Sequence, residues 1–120
     1  MKSTILILDD TEIVPCMRIL YVERSVKIVD FGTMTDQSVD YPEYGLKVAE
    51  AVAEGRCDLG VVMCGTGIGI SISANKVPGV RCALVTNEFM ATATKNHNNA
   101  NVLALGGRVV GAGLAIKIVD

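Results

Sequence analysis

Apolar and polar positions along the chain fall into short apolar runs separated by amphipathic or glycine-rich stretches. Residues 5–8 are an apolar run closed by Asp9 and Asp10, and predict a first strand. Pro15 suits the first turn of a short helix over 16–23. Residues 26–30 predict a second strand, closed by Phe31 and Gly32, with a polar loop over 33–39. Asp40 can cap the next helix, Pro42 sits in its first turn and Glu43 lies three residues after the cap. Tyr44, Val48, Ala51 and Val52 then share one face, and Gly55 ends that helix. Residues 59–63 predict a third strand, which runs into Cys64 and glycines at 65, 67 and 69. Ile70, Ile72 and Ala74 read as the opening turns of a helix, and Val77, Pro78 and Gly79 as a turn. Residues 81–85 predict a fourth strand. The stretch 87–96 predicts a helix that delivers His97, Asn98 and Asn99 at its end. Residues 102–105 predict a fifth strand, followed by Gly106, Gly107 and Arg108, and a last helix starts within 111–119.

Strands that alternate with helices, and that are apolar almost throughout, predict an α/β fold with a parallel sheet covered on both faces. The expected architecture is a three-layer α/β/α sandwich with a five-stranded parallel sheet, Rossmann-like. A chain of 120 residues suits a single domain over 1–120. Such sheets bind ligands beyond the carboxyl ends of their strands, where Asp10, Cys64, Thr86 and Gly106 fall.

Composition narrows the function class. Half of the residues are hydrophobic, a fifth are charged and the net charge is −2, which argues against disorder and gives no electrostatic reason to expect nucleic acid. Only two phenylalanines and three tyrosines are present, so base-stacking platforms are not evident. Cysteines at 16, 57, 64 and 82 form no C-x-x-C pair, and one histidine cannot complete a zinc-finger pattern, so no metal is expected. Without a secretory signal the cysteines read as reduced thiols of a cytoplasmic protein, and no apolar stretch is long enough to span a membrane.

The candidate chemistry centres on the stretch from Cys64 to Gly69. Strand, glycine loop and helix start together form an anion cradle: glycines bring backbone N–H groups close to a ligand, and the helix end adds unpaired N–H groups and a positive dipole. A thiol beside a helix N-terminus ionises more readily than an ordinary one, although a lone cysteine is also a common small hydrophobe. The spacing Gly65-x-Gly67-x-Gly69 departs from the dinucleotide fingerprint G-x-G-x-x-G, and no Gly-Lys-Ser/Thr follows. A phosphosugar or enediolate site fits the loop better than a cofactor site. His97 is of the residue type most used for proton transfer but often merely caps or packs, Arg108 is an ordinary surface charge unless something recruits it, and Asn98, Asn99 and Asn101 suit turns.

The segment from Cys64 to Arg81, Cys-Gly-Thr-Gly-Ile-Gly-Ile-Ser-Ile-Ser-Ala-Asn-Lys-Val-Pro-Gly-Val-Arg, resembles the signature of the ribose-5-phosphate isomerase B family, which also holds the subunits of galactose-6-phosphate isomerase. Val39-Asp-Tyr-Pro-Glu-Tyr44, His97-Asn-Asn-Ala-Asn-Val102 and Gly106-Gly-Arg108 resemble it too. The resemblance implies a cofactor-free aldose–ketose isomerase that works through an enediolate. By position, Cys64 would be the base and Thr66 would handle a proton or polarise an oxygen. The amides of Gly65, Gly67, Ile68 and Gly69 would hold the enediolate. His97 would open the sugar ring, Asn98 would bind hydroxyls, Arg108 would meet the phosphate, and Tyr41 and Asp10 would line the pocket. The partner is then a sugar phosphate, most directly ribose 5-phosphate. The competing readings are a galactose-6-phosphate isomerase subunit and a catalytically silent sugar-phosphate-binding relative.

Two departures are visible. The family reads Ser-Asp-His-Ala-Gly after its first strand, whereas this chain reads Asp9-Asp10-Thr11-Glu12-Ile13, with Thr11 where the family places a phosphate-contacting histidine. The sequence stops at Asp120 within an apolar helical pattern, so its last helix is expected to be short or missing relative to the family, together with the arginines a further helix would carry. Both bear on phosphate recognition and predict weak phosphate binding that rests mainly on Arg108. The family builds its sites between two chains, and Leu114, Ile116, Ile118 and Val119 would be partly uncovered in a monomer, so a homodimer or higher oligomer is expected.

Overall fold

The computed structural model describes residues 3–6, 27–30, 41–64, 66–106 and 109–119. In chain order these form β1 (Ser3–Leu6), β2 (Lys27–Asp30), α1 (Tyr41–Ala53), β3 (Leu59–Cys64), α2 (Ile68–Asn75), β4 (Cys82–Leu84), α3 (Glu88–Ala93), a π turn (Thr94–Asn98), β5 (Val102–Gly106) and α4 (Ala112–Val119). The described strands make one five-stranded sheet in the order β2-β1-β3-β5-β4. Every pairing in it is parallel. β3 lies in the centre, and its register with β5 runs from Gly60 opposite Val102 to Cys64 opposite Gly106. The two central strands therefore end level with each other.

Period-two alternation along β3 and β5 divides the core in two. Val62, Val102 and Ala104 pack with Val48, Ala49, Ala51 and Val52 of α1 and with Ile70 and Ala74 of α2. Val61, Met63 and Leu105 point the other way and pack with Val85, Val110 and, from α4, Ala115 and Ile118. Burying each of the larger side chains, such as Met63, Ile70 and Leu105, contributes about 1.5–3 kcal/mol. α1 lies close over β3 at Gly60: a Cβ there would come within 2.8 Å of Val48 Cγ1 and 3.2 Å of Val52 Cγ2. That glycine in the middle of a strand marks a close approach of helix to sheet.

α1 ends as its sequence predicts. Gly55 has φ +79°, its N–H donates to the carbonyl of Val52, and the N–H of Arg56 donates to that of Ala51. This pair of bonds is the Schellman termination. Val48, Ala51 and Val52 are buried on the expected face.

Several boundaries differ from expectation. The first strand begins at Ser3, two residues early. Residues 7–10, the predicted helix over 16–23, the loop over 33–39 and the cap at Asp40 lie outside the described residues. β4 is one residue shorter at each end than predicted, because the Arg81 carbonyl accepts from Asn101 and Val102 and the Arg81 N–H goes to the Asn101 side chain. α2 begins at Ile68, so Ile70, Ser71, Ser73 and Ala74 face inward while Ile72 points outward. The buried serine hydroxyls donate to carbonyls one turn back, Ser71 to Ile68 at 2.7 Å and Ser73 to Gly69 at 3.1 Å. The expected uncovered apolar stripe on α4 is only partly so: Ile118 is buried, and Leu114, Ile116 and Val119 pack against the core. Among the described residues the strongly exposed large apolar side chains are instead Ile68, Ile72, Phe89 and Val109.

Candidate active site

The carboxyl end of the sheet collects the glycine loop. β3 delivers Cys64 as its last residue, opposite Gly106 of β5. Three residues on, Gly67 takes φ +82° and ψ −11° as the N-cap of α2. That left-handed conformation turns the chain from strand to helix and is open to glycine without strain. The loop also rests directly on β5. A Cβ on Gly106 would lie 2.5 Å from the Thr66 carbonyl oxygen, and one on Gly67 would lie 2.6 Å from Leu84 Cδ1 and 2.9 Å from the Leu105 carbonyl carbon. Two glycines therefore allow the loop after β3 to touch the ends of β4 and β5.

Thr66 is exposed on this loop, and its hydroxyl accepts the N–H of Ile68 at 3.2 Å. A hydroxyl that accepts still has its own proton to offer. The bond engages one of the amides expected to face a ligand, the N–H of Ile68. Thr86, at the end of β4, donates to Met90 Sδ at 3.3 Å. Gly65 and Arg108 lie outside the described residues, as does Asp10. Tyr41 opens α1.

His97 and Asn98 are elsewhere. They belong to the π turn, not to a loop after α3, and both are exposed. The crossover from β4 to β5 returns the chain to the amino end of the sheet, where the Asn101 N–H donates to the Arg81 carbonyl and the Asn101 carbonyl accepts from Gly60. β5 then runs four residue steps from Val102 to Gly106, about 13 Å. Within one chain, Cys64 and His97 thus stand at opposite ends of the sheet.

The other described cysteines have no part in the loop. Cys57 and Cys82 carry thiols, not disulfides. Burial against the core pushes the Cys82 thiol up to about 12, so it stays protonated and inert. Among the described residues no cluster of three or more His, Cys, Asp and Glu is placed to hold a metal, and no helix is long and apolar enough to cross a membrane.

Three residues that sequence reasoning passed over as framework prove informative. Asn75 grips β4 from the end of α2: its side chain accepts from Cys82 N at 2.8 Å and donates to Cys82 O at 2.9 Å, as a neighbouring strand would. β4 is an edge strand, so this contact blunts an otherwise open edge. Arg81 and Asn101 tie the π turn to the base of β4. No local periodicity marks such contacts, because they join positions 7 to 20 residues apart.

A family model described as Ribose/Galactose Isomerase matches residues 11–120. Ribose-5-phosphate isomerase B of Escherichia coli is 50% identical over 99 residues, covering 82% of this chain and 66% of that protein. The galactose-6-phosphate isomerase subunit LacB of Clostridium acetobutylicum is 50% identical over 93 residues, covering 78% of this chain and 54% of that protein. The chain thus spans between about half and two thirds of the length of these curated relatives. The solved structure of Clostridium thermocellum ribose-5-phosphate isomerase B superimposes with a TM-score of 0.92 at 52% identity, covering 100% of this chain and 82% of that one. The chain belongs to the ribose/galactose isomerase family.

Proposed function

We propose that this protein is a cytoplasmic aldose–ketose isomerase that interconverts ribose 5-phosphate and ribulose 5-phosphate through an enediolate. The observation that carries this reading is the loop after β3: a cysteine at a strand end, a left-handed glycine turn and a helix N-terminus, seated on β5 through Gly67 and Gly106. The fold is read as the Rossmann-like three-layer sandwich, with the ligand beyond the carboxyl ends of the central strands.

In this mechanism the Cys64 thiolate removes the proton from C2 of the open-chain aldose. The electron pair of that bond forms the C1–C2 double bond, and the aldehyde oxygen O1 takes the negative charge. The backbone amides from Gly65 to Gly69 stabilise that charge, the Ile68 N–H by exchanging its bond to Thr66 Oγ1 for one to O1. Thr66 moves the O2 proton toward O1, and the thiol returns its own proton to C1, leaving a ketone at C2. His97 opens the sugar ring, Asn98 holds hydroxyls, Arg108 meets the phosphate, and Tyr41 and Asp10 line the pocket.

The separation of Cys64 from His97 supports a site completed by a second copy of the chain, which supplies His97 and Asn98. Ile68, Phe89 and Val109 are exposed and follow the carboxyl ends of β3, β4 and β5, three neighbouring strands. Exposed apolar side chains gathered at one end of a domain suit burial by a partner.

The test is turnover of ribose 5-phosphate by the purified protein, with Cys64→Ala in parallel. The expected result is isomerisation by the parent and a loss of about 10²–10⁴-fold in the variant with its fold retained. The relative LacB gives a second reading, a galactose-6-phosphate isomerase subunit, so galactose 6-phosphate is assayed alongside. Turnover of that sugar alone replaces the ribose reading. A thermal shift with either sugar phosphate and no turnover points to a silent relative.

A further inference from the structure

We infer that Arg81 is a positioning residue for the limb that carries His97 and Asn98. This rests on the isomerase reading for the use of that limb, while the brace itself rests on hydrogen bonds within the chain.

A π turn is one residue wider than an α turn and is uncommon, so it persists only where its surroundings hold it. Here the N–H of Asn99 and that of Ala100 both go back to the Thr94 carbonyl, and Asn99 is left-handed at φ 49° and ψ 48°. The carbonyls that leave such a turn need outside donors. Arg81 provides one: its Nε donates to the Asn99 carbonyl at 2.8 Å, and one terminal nitrogen reaches the Gly79 carbonyl at 3.4 Å. The arginine is held in turn by Asn101, whose side chain accepts from the Arg81 N–H at 2.8 Å and donates to the Gly79 carbonyl at 3.0 Å. The guanidinium fork thus bridges two turns, the one at Gly79 and the one carrying His97. A planar fork with donors in fixed directions does this better than a single ammonium.

His97 and Asn98 lie two residues and one residue before the clamped carbonyl of Asn99. These bonds are exposed, so each adds little to global stability. Their effect is on where the turn points. Arg81 touches neither the loop after β3 nor the residues assigned to proton transfer, which lie at the other end of the sheet.

The experiment compares Arg81→Ala and Arg81→Lys with the parent in three measurements. The first is amide hydrogen exchange at Asn99 and Ala100, which is independent of turnover; Arg81→Ala speeds it at least tenfold and Arg81→Lys less. The second is turnover of ribose 5-phosphate, a closed ring that calls on His97; Arg81→Ala lowers it by about 10–100-fold, the scale of a displaced catalytic group. The third is wash-in of solvent deuterium at C1 of saturating acyclic ribulose 5-phosphate, which needs Cys64 but not ring opening by His97; displacement of Asn98 lowers it by a few-fold at most, well short of the fall in turnover. General loss of structure would lower turnover and wash-in together. Unchanged exchange at Asn99 and Ala100 overturns the brace, as does an equal fall in turnover and wash-in. Faster exchange with full turnover overturns the positioning role. A parent that neither isomerises nor exchanges overturns the isomerase reading, and the amide measurement still decides the brace. Should Arg81→Ala fail to fold, Arg81→Lys carries the same three comparisons with smaller changes.

Discussion

At the scale of single residues, the loop is defined by two glycines that do different jobs. Gly67 needs its positive φ and its lack of a side chain together, whereas Gly106 is needed only because Thr66 backbone atoms occupy the space of a Cβ, at 2.5 to 3.0 Å. Gly55 provides the contrast, since it shares the positive φ but has nothing within 4 Å. Gly55→Ala should therefore cost only the left-handed backbone penalty, about 1–2 kcal/mol, and leave sugar-phosphate turnover within a few-fold. Gly106→Ala should cost about 1–3 kcal/mol of overpacking and also push the loop off β5, cutting turnover at least tenfold. Urea denaturation and turnover of the two variants check this, and parental behaviour of Gly106→Ala would show that the loop does not rest on β5. The loop's conformation was legible in the sequence because glycine spacing after an apolar run has few backbone solutions. The role of Gly106 was not, because it depends on an approach between residues forty positions apart.

At the scale of elements, what was local was legible. The termination of α1 follows from one glycine, and its buried face from a period of 3.6. The cap of α3 is also local, although the sequence reading did not single it out: the Asn87 side chain accepts from Met90 N at 2.9 Å. The π turn that replaces the last part of the predicted helix over 87–96 was hidden, because its stabilising partner, Arg81, comes from another loop. The length of β4 was hidden for the same reason. That short strand also sets a pH dependence. Cys82 lies between the Asn75 clamp and the core, and burial raises its thiol from 9.0 to about 12. The folded chain therefore keeps a proton that the unfolded chain releases. Its contribution to stability is complete below pH 9 and is lost as pH rises toward 12. Denaturation of the parent and of Cys82→Ala at pH 8 and pH 11 should show the gap between them shrinking at the higher value, since only the parent has this thiol to ionise. A gap of constant size would mean that the thiol is open to solvent.

At the scale of the whole molecule, alternation of strand and helix made the parallel sheet legible, but not the distance between the two groups assigned to chemistry. Neighbouring motifs in sequence suggest one site, whereas topology sends Cys64 to the carboxyl end of the sheet and His97 to the amino end. The proposed two-fold dimer would resolve this, because each copy would offer its Cys64 end to the other's His97 end, giving two equivalent sites. The arrangement makes a prediction that no single-chain site shares. Cys64→Ala and His97→Ala are each defective as homodimers with ribose 5-phosphate. Co-expressed at equal levels, about half of the dimers are mixed, and each mixed dimer holds one site with both groups intact and one with neither. Turnover should then recover to about a quarter of the parental value. If both groups came from one chain, every site in every dimer would lack one of them, and mixing would restore nothing. Turnover of the mixture no higher than the mean of the two homodimers would therefore sink the shared site, and with it the partner's role in opening the sugar ring.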